Sequence, residues 1–220
     1  MDMAKAKKIE KSTIFEAFIK QTLTGEKKMK SVFLFCQEAK LDETVFYAHF
    51  GSLDGVRTAI FETFFENAMG LLTQDQNYEK QTPKEKLLSF YFTFFEVLQL
   101  NRSYVLFALG DQHLPHKWTD IRGLRTHFKA FATELIEEGN AQKQGKLSQR
   151  PVSVFSEAAW GQLLFLLQFW MKDESAGFEK TDVAIEKSVQ TAFSLFDNNA
   201  LDTLLDFGKF LWNEKSKLVS

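Results

Sequence analysis

One cysteine, three prolines and no excess of positive charge in 220 residues exclude several classes of protein before any motif is sought. A single thiol, Cys36, cannot close an internal disulfide, which fits a reducing cytoplasm, and its apolar neighbours point to a buried rather than a reactive group. With so few prolines and only 11 glycines, long helices run uninterrupted. Lys and Arg total 27 against 29 Asp and Glu, a formal net charge of −2, which argues against a generally basic nucleic-acid coat. Long hydrophobic runs are missing too. The richest, Ala158 to Met171, contains Gly161, Gln162 and Gln168 and is too short to cross a bilayer. The basic start MDMAKAKKIEK has no apolar stretch behind it, so it does not read as a secretory signal. These absences lead to the expectation of a soluble cytoplasmic protein with no membrane partner.

Catalytic signatures are equally scarce. There is no glycine-rich phosphate loop, nucleophile elbow or HExxH zinc motif, so an enzyme is not expected and no cofactor is implied. His113, His116 and His127, with Asp111 and Asp120, do not have zinc-site spacing and read as surface or pocket-lining groups. Glu137-Glu138 reads as a solvated helix end.

What the chain does have is apolar helix. Hydrophobic residues make up 45%, and 24 of them are Phe. Periodicity predicts a helix over about 13–24, with Thr13 and Glu16 spaced as a capping box. It predicts two short helices over 30–49 and a long one from Ser52 to about Thr73. After a polar linker, 73–81, Thr82-Pro83-Lys84-Glu85 is a strong helix start. The helix that follows carries Leu87, Phe90, Tyr91, Phe94, Phe95 and Leu98 over a wide arc, so deep burial is expected. Further helices are expected near 103–109, over 119–138 and ended by Gly139-Asn140, from Pro151 through Met171, over 181–197, and over 201–214. The fold class is all-α: a three-helix head at 1–51, then a helical bundle at 52–220 reached through the long helix.

The stretch 31–50, SVFLFCQEAKLDETVFYAHF, is the most specific. Val32, Phe35, Cys36 and Ala39 share one helical face. Leu41, Val45, Phe46 and Phe50 continue the stripe after a break, and Asp42 is placed to cap the second helix. Helices this short must pack on a third, as in a helix-turn-helix reading head. Residues 1–56 hold nine Lys and eight Asp or Glu, a net of +1 that leaves −3 for the rest.

Ser31-Val32, Phe35, Ala39, Leu41, Phe46-Tyr47 and His49-Phe50 fall in register with the head of the TetR-type transcriptional regulators, which the N-terminal third resembles. Gly177 to Lys187 also looks like the start of a late bundle helix in that family. The resemblance implies a DNA-binding homodimer, a regulator and by expectation a repressor, that reads double-stranded operator DNA and responds to a small apolar ligand. It places the helix at 42–49 in the major groove, with Glu43, Thr44 and Tyr47 facing bases or backbone and Lys30, Ser31, Lys40 and His49 near phosphates. The pattern departs in five places. Lys40 stands at the usual turn glycine, Asp42-Glu43 puts carboxylates at the start of the reading helix, Leu53 replaces a common lysine, Phe33 replaces a usually polar residue, and Gln21-Thr22 interrupts the first helix's apolar stripe. A TetR-like protein with an altered head that carries a lipid or isoprenoid is therefore the alternative.

In the bundle, the aromatic set suits an apolar pocket, for which Phe94, His113, Phe128, Trp160, Phe165 and Gln168 are the candidate lining. The helices at 152–171 and 181–197 have broad apolar surfaces, and an isologous contact between two copies is expected there.

Overall fold

The computed structural model describes residues 10–25, 31–110, 117–141 and 149–197, with the backbone alone at 117, 118, 196 and 197. Lys30, Asp111, His113, His116 and the helix expected over 201–214 lie outside the described residues. Helices and turns account for what is described, with no strand among those residues: α1 (Lys11–Thr24), α2 (Val32–Ala39), α3 (Glu43–His49), α4 (Leu53–Leu72), α5 (Pro83–Gln99), α6 (Arg102–Gly110), α7 (Lys117–Asp120), α8 (Arg122–Ala141), α9 (Val152–Met171) and α10 (Glu179–Asp197). The chain is all-α.

Several helix starts follow from side chains that satisfy orphaned N–H groups. Ser52 Oγ accepts from the Gly55 N–H at 3.1 Å and opens α4. At α5, Glu85 Oε2 accepts from the Thr82 N–H and hydroxyl, both at 2.8 Å, the reciprocal half of a capping box. The box expected at Thr13 and Glu16 does not form. α1 begins earlier, after Glu10, whose carbonyl already accepts the Thr13 N–H at 3.1 Å.

Two further expectations shift. The helix expected over 119–138 is two, α7 and α8, and it does not end at Gly139-Asn140. Asn140 stays helical and buried, and its amide brackets the backbone of Arg150, donating to the carbonyl at 2.9 Å and accepting from the N–H at 2.8 Å. The polar stretch 73–81 includes a single 3₁₀ turn, Tyr78–Lys80, with the Tyr78 ring buried.

The chain divides into two compact units, one drawn from residues 1–71 and 94–128, the other from 72–93 and 129–220. α5 and α8 contribute to both. In the first unit, α1 packs on α2 and α6, with Phe18 set edge-on to Tyr104 at 6.5 Å. Arg57 of α4 donates to Asp120 Oδ1 at 3.1 Å and also pairs with Asp54. His127 stacks on Phe65 at 5.6 Å, a packing role rather than a ligating one. At Gly123, where α8 meets α4, an added Cβ would fall 1.9 Å from Glu62 Oε1, so a larger residue there displaces the Glu62 side chain.

In the second unit, Phe90 packs on Phe131 at 5.0 Å and Lys86 pairs with Glu138 at 2.8 Å, so Glu138 is a partnered helix group. α9 packs against α10. Residues 158–171 form only the C-terminal part of α9. The whole helix, at 20 residues, is long and apolar enough by length and composition to cross a membrane. The turn into α10 uses Gly177 at φ +62°, and Asp173 accepts from the hydroxyls of Ser175 (2.6 Å) and Thr181 (2.7 Å) to hold it.

Candidate nucleic-acid interface and apolar groove

The head is built on phenylalanine. Phe18 lies 6.0 Å from Phe35, Phe35 5.6 Å from Phe46, Phe46 6.1 Å from Phe50 and Phe50 5.5 Å from Phe15, so one chain of rings ties α1, α2 and α3 together. Such pairs add about 0.5–1.5 kcal/mol each beyond the area they bury. Gln21 joins the same core: it is buried, and its Nε2 donates to the Phe35 carbonyl at 3.1 Å. The polar interruption in α1 is thus a tie between α1 and α2.

Ser31 caps α2, its Oγ accepting from the Leu34 N–H at 3.2 Å. α2 ends on Lys40 in the left-handed region (φ +54°), and Leu41 N–H returns to the Cys36 carbonyl at 2.9 Å. A lysine there costs about 1 kcal/mol more than a glycine would, yet it keeps the turn and adds an exposed cation. Asp42 caps α3 through Oδ1, which accepts from the Thr44 N–H at 2.8 Å and from the Thr44 hydroxyl at 2.7 Å. Those bonds hold the Asp42 carboxyl below its ordinary range. Burial, followed by the charges of Glu43 and Asp42, pushes the Cys36 thiol up, so it is a neutral core group.

With Phe46 buried, α3 presents Thr44, Tyr47, Ala48 and His49 outward, while Glu43 is half-buried. Tyr47 is 54% exposed, its ring edge-on to Phe46 at 5.5 Å. No Lys or Arg lies on α3. Nearby cations are the exposed Lys40 and Lys11, whose ammonium sits over the Phe50 ring at 5.6 Å. Of the residues expected at the interface, Thr44, Tyr47 and His49 therefore share an exposed helix, Lys40 is exposed in the turn before it, Glu43 is partly withdrawn, and Ser31 is the half-buried cap of α2. Phe33 and Leu34 of α2 are exposed apolar groups.

The second unit contains a groove of about 780 Å³, walled mainly by Leu135 and Ile136 of α8, Ala158 and Phe165 of α9, and Ala184 and Leu195 of α10. Its polar lining includes Gln162, whose Nε2 donates to Ser188 Oγ at 3.0 Å, and Lys187. Phe165 is 55% exposed at this groove. Phe94 and Phe128 are wholly buried in the first unit and Trp160 is buried in the second; none of them lines the groove, and Gln168 is exposed elsewhere on α9. The groove owes its space to small residues, Ala158, Ala159 and Ala184, on facing helices. That alanine spacing is the sequence trace a search for aromatic rings passes over. Among the described residues no group of three His, Cys, Asp or Glu is placed to hold a metal ion.

Residues 86–211 match the family described as "Tetracyclin repressor-like, C-terminal domain". No curated protein gives a match to the sequence. Solved structures share the fold at low identity. A protein of Syntrophomonas wolfei named as a TetR-family transcriptional regulator superposes with a TM-score of 0.65 at 14% identity, over 86% of this chain and 95% of its own. A Clostridium perfringens protein named as a fatty acid metabolism regulator gives 0.54 at 18% identity, over 82% and 96%. A TetR-family regulator named from Shewanella sp. PV-4 gives 0.52 at 15% identity, over 86% and 96%.

Proposed function

The chain belongs to the TetR family of transcriptional regulators, and on that premise we propose that it is a cytoplasmic, non-enzymatic, ligand-responsive regulator, a repressor, that binds operator DNA as a homodimer. Residues 1–51 act as the reading domain and 52–220 as the ligand-binding and dimerisation domain. The observation that carries the reading is the head itself: a capped α3 held on an aromatic core, with Thr44, Tyr47 and His49 outward, Lys40 exposed in the turn before it and Ser31 capping α2. Groove readout needs such a polar helix face flanked by hydroxyls and cations.

The second copy joins across α9 and α10, where Val154, Phe165, Val183 and Leu195 are all exposed. Three of these also line the groove, so a partner seated there closes the mouth over a small apolar ligand. A cavity of this size suits one. Ligand occupancy and dimer geometry are then linked, and a ligand that favours the DNA-incompetent geometry releases the operator.

Tyr47 is exposed, so Tyr47→Ala leaves the fold intact while removing an interface group. Binding to a promoter fragment from the protein's own locus should weaken about tenfold or more in gel shift. Equal binding by wild type and variant would sink the assignment.

The absence of Lys and Arg from α3, and the carboxylates at its start, favour one second reading: a member of the fold that carries a lipid or isoprenoid and has given up DNA. A DNA reader must lose affinity linearly in log salt. Retention on duplex or heparin that does not depend on salt, with a lipid bound in native mass spectrometry, selects the second reading instead.

A further inference from the structure

Thr44 is exposed on α3, and its hydroxyl lies 2.7 Å from Asp42 Oδ1, the oxygen that also accepts its backbone N–H. Asp42 is ionised, because both bonds stabilise the carboxylate and hold its pKa below the ordinary value. A carboxylate has no proton to give, so the proton in this bond is the threonine's own. A free threonine hydroxyl rotates and either donates or accepts. This one is already donating inward, which leaves only its lone pairs for a group that approaches from outside. Ser31 is the contrast, since its Oγ accepts from the Leu34 N–H and keeps its proton to donate.

In the major groove the only base-edge donors are adenine N6 and cytosine N4, while guanine O6 and N7 and thymine O4 accept. We infer that Thr44 is a specificity-determining residue that reads amino against keto bases: it accepts from adenine N6 or cytosine N4 on one strand and disfavours guanine and thymine at that position. The inference rests on the DNA reading proposed above. It has a signature that other modes of readout lack. Every base pair contains one amino base, so Thr44 does not sort A·T from G·C; it sorts the orientation of either pair. The preference is twofold degenerate, A or C over T or G. A cationic side chain selects guanine alone, a methyl contact selects thymine alone, and groove shape separates A·T from G·C.

The test is selection from a random duplex library by the full-length protein, its Thr44→Ser variant and its Thr44→Val variant. Valine is close to isosteric, the position is exposed, and the Asp42 cap keeps its bond to the backbone N–H. Wild type should enrich A or C over G or T about five- to tenfold at one position per half-site. Thr44→Ser should keep that preference, and Thr44→Val should lose it there alone. Replacing a selected adenine by purine, which lacks the amino group, should weaken wild type to the level of Thr44→Val and leave that variant unaffected. If Thr44→Val changes no position, or if the position it changes prefers a single base, the inference fails while DNA reading stands. No enrichment by wild type, with salt-independent behaviour on heparin, overturns both together.

Discussion

At the scale of single residues, the informative positions are those where the sequence breaks its own pattern. Gln21 interrupts an apolar stripe, and the structure buries it with Nε2 on the Phe35 carbonyl while Oε1 and the neighbouring Thr22 Oγ1 meet no partner among the described residues. A bond gained beside an acceptor left unsatisfied nearly cancels, because a lost buried bond costs about as much as an orphaned group. Gln21→Met keeps the volume and removes both, so its stability should stay within about 1 kcal/mol of wild type. Gln21→Ala also opens a cavity beside Phe35 and should cost about 2 kcal/mol or more. Urea midpoints at constant m-value compare them, and equal loss in both variants would mean that the hydrogen bond holds the head together rather than the filled volume. Lys40 shows the same limit of sequence reading. Its position in a turn is legible from the flanking helices, but the positive φ it accepts is set by the α2–α3 crossing, which no local pattern encodes.

At the scale of elements, caps decide boundaries, and their legibility varied for a physical reason. Thr82 and Glu85 form their box because the Thr82 and Glu85 N–H groups have no intrahelical partner. Thr13 and Glu16 have the same spacing, but the N–H that would need a cap already reaches Glu10. The junction between α9 and α10 depends on Asp173, which forms a local turn with Ser175 and also reaches Thr181, eight residues on, where no short motif announces it. Asp173 is held well below the usual carboxylate range, chiefly by the Ser175 hydroxyl and then by the Thr181 hydroxyl and the backbone N–H groups of both. Its folded pKa is depressed, so the stability it adds is full above its unfolded value of about 3.9 and is lost as pH falls through the folded one. Asp173→Ala should therefore lower Tm at pH 7, and the gap to wild type should narrow as pH falls below about 4. A gap independent of pH would assign the effect to packing.

At the scale of the whole molecule, helix content and the head were legible because periodicity and the Tyr-x-His-Phe ending are local. The groove was not. Phe94 lies on α5, which is apolar over so wide an arc that periodicity cannot say which rings face a cavity, and Phe128 of α8 and Trp160 of α9 are likewise apolar residues that fill the core. A cavity is defined by missing bulk, here at Ala158, Ala159 and Ala184. The same face yields the most demanding test of the proposed dimer. Val154 and Phe165 are 51% and 55% exposed, so charging them does not disturb the core of one copy. Val154→Glu with Phe165→Glu should leave far-ultraviolet circular dichroism unchanged while sedimentation equilibrium shifts from dimer to monomer, because a carboxylate buried in an isologous contact meets its own copy. With one head instead of two on DNA, the phosphate contacts halve, so the slope of log affinity against log salt should fall to about half. A variant that remains dimeric excludes this face as the contact. A monomer that keeps the full salt slope would separate dimerisation from DNA reading and leave the groove without its link to the operator.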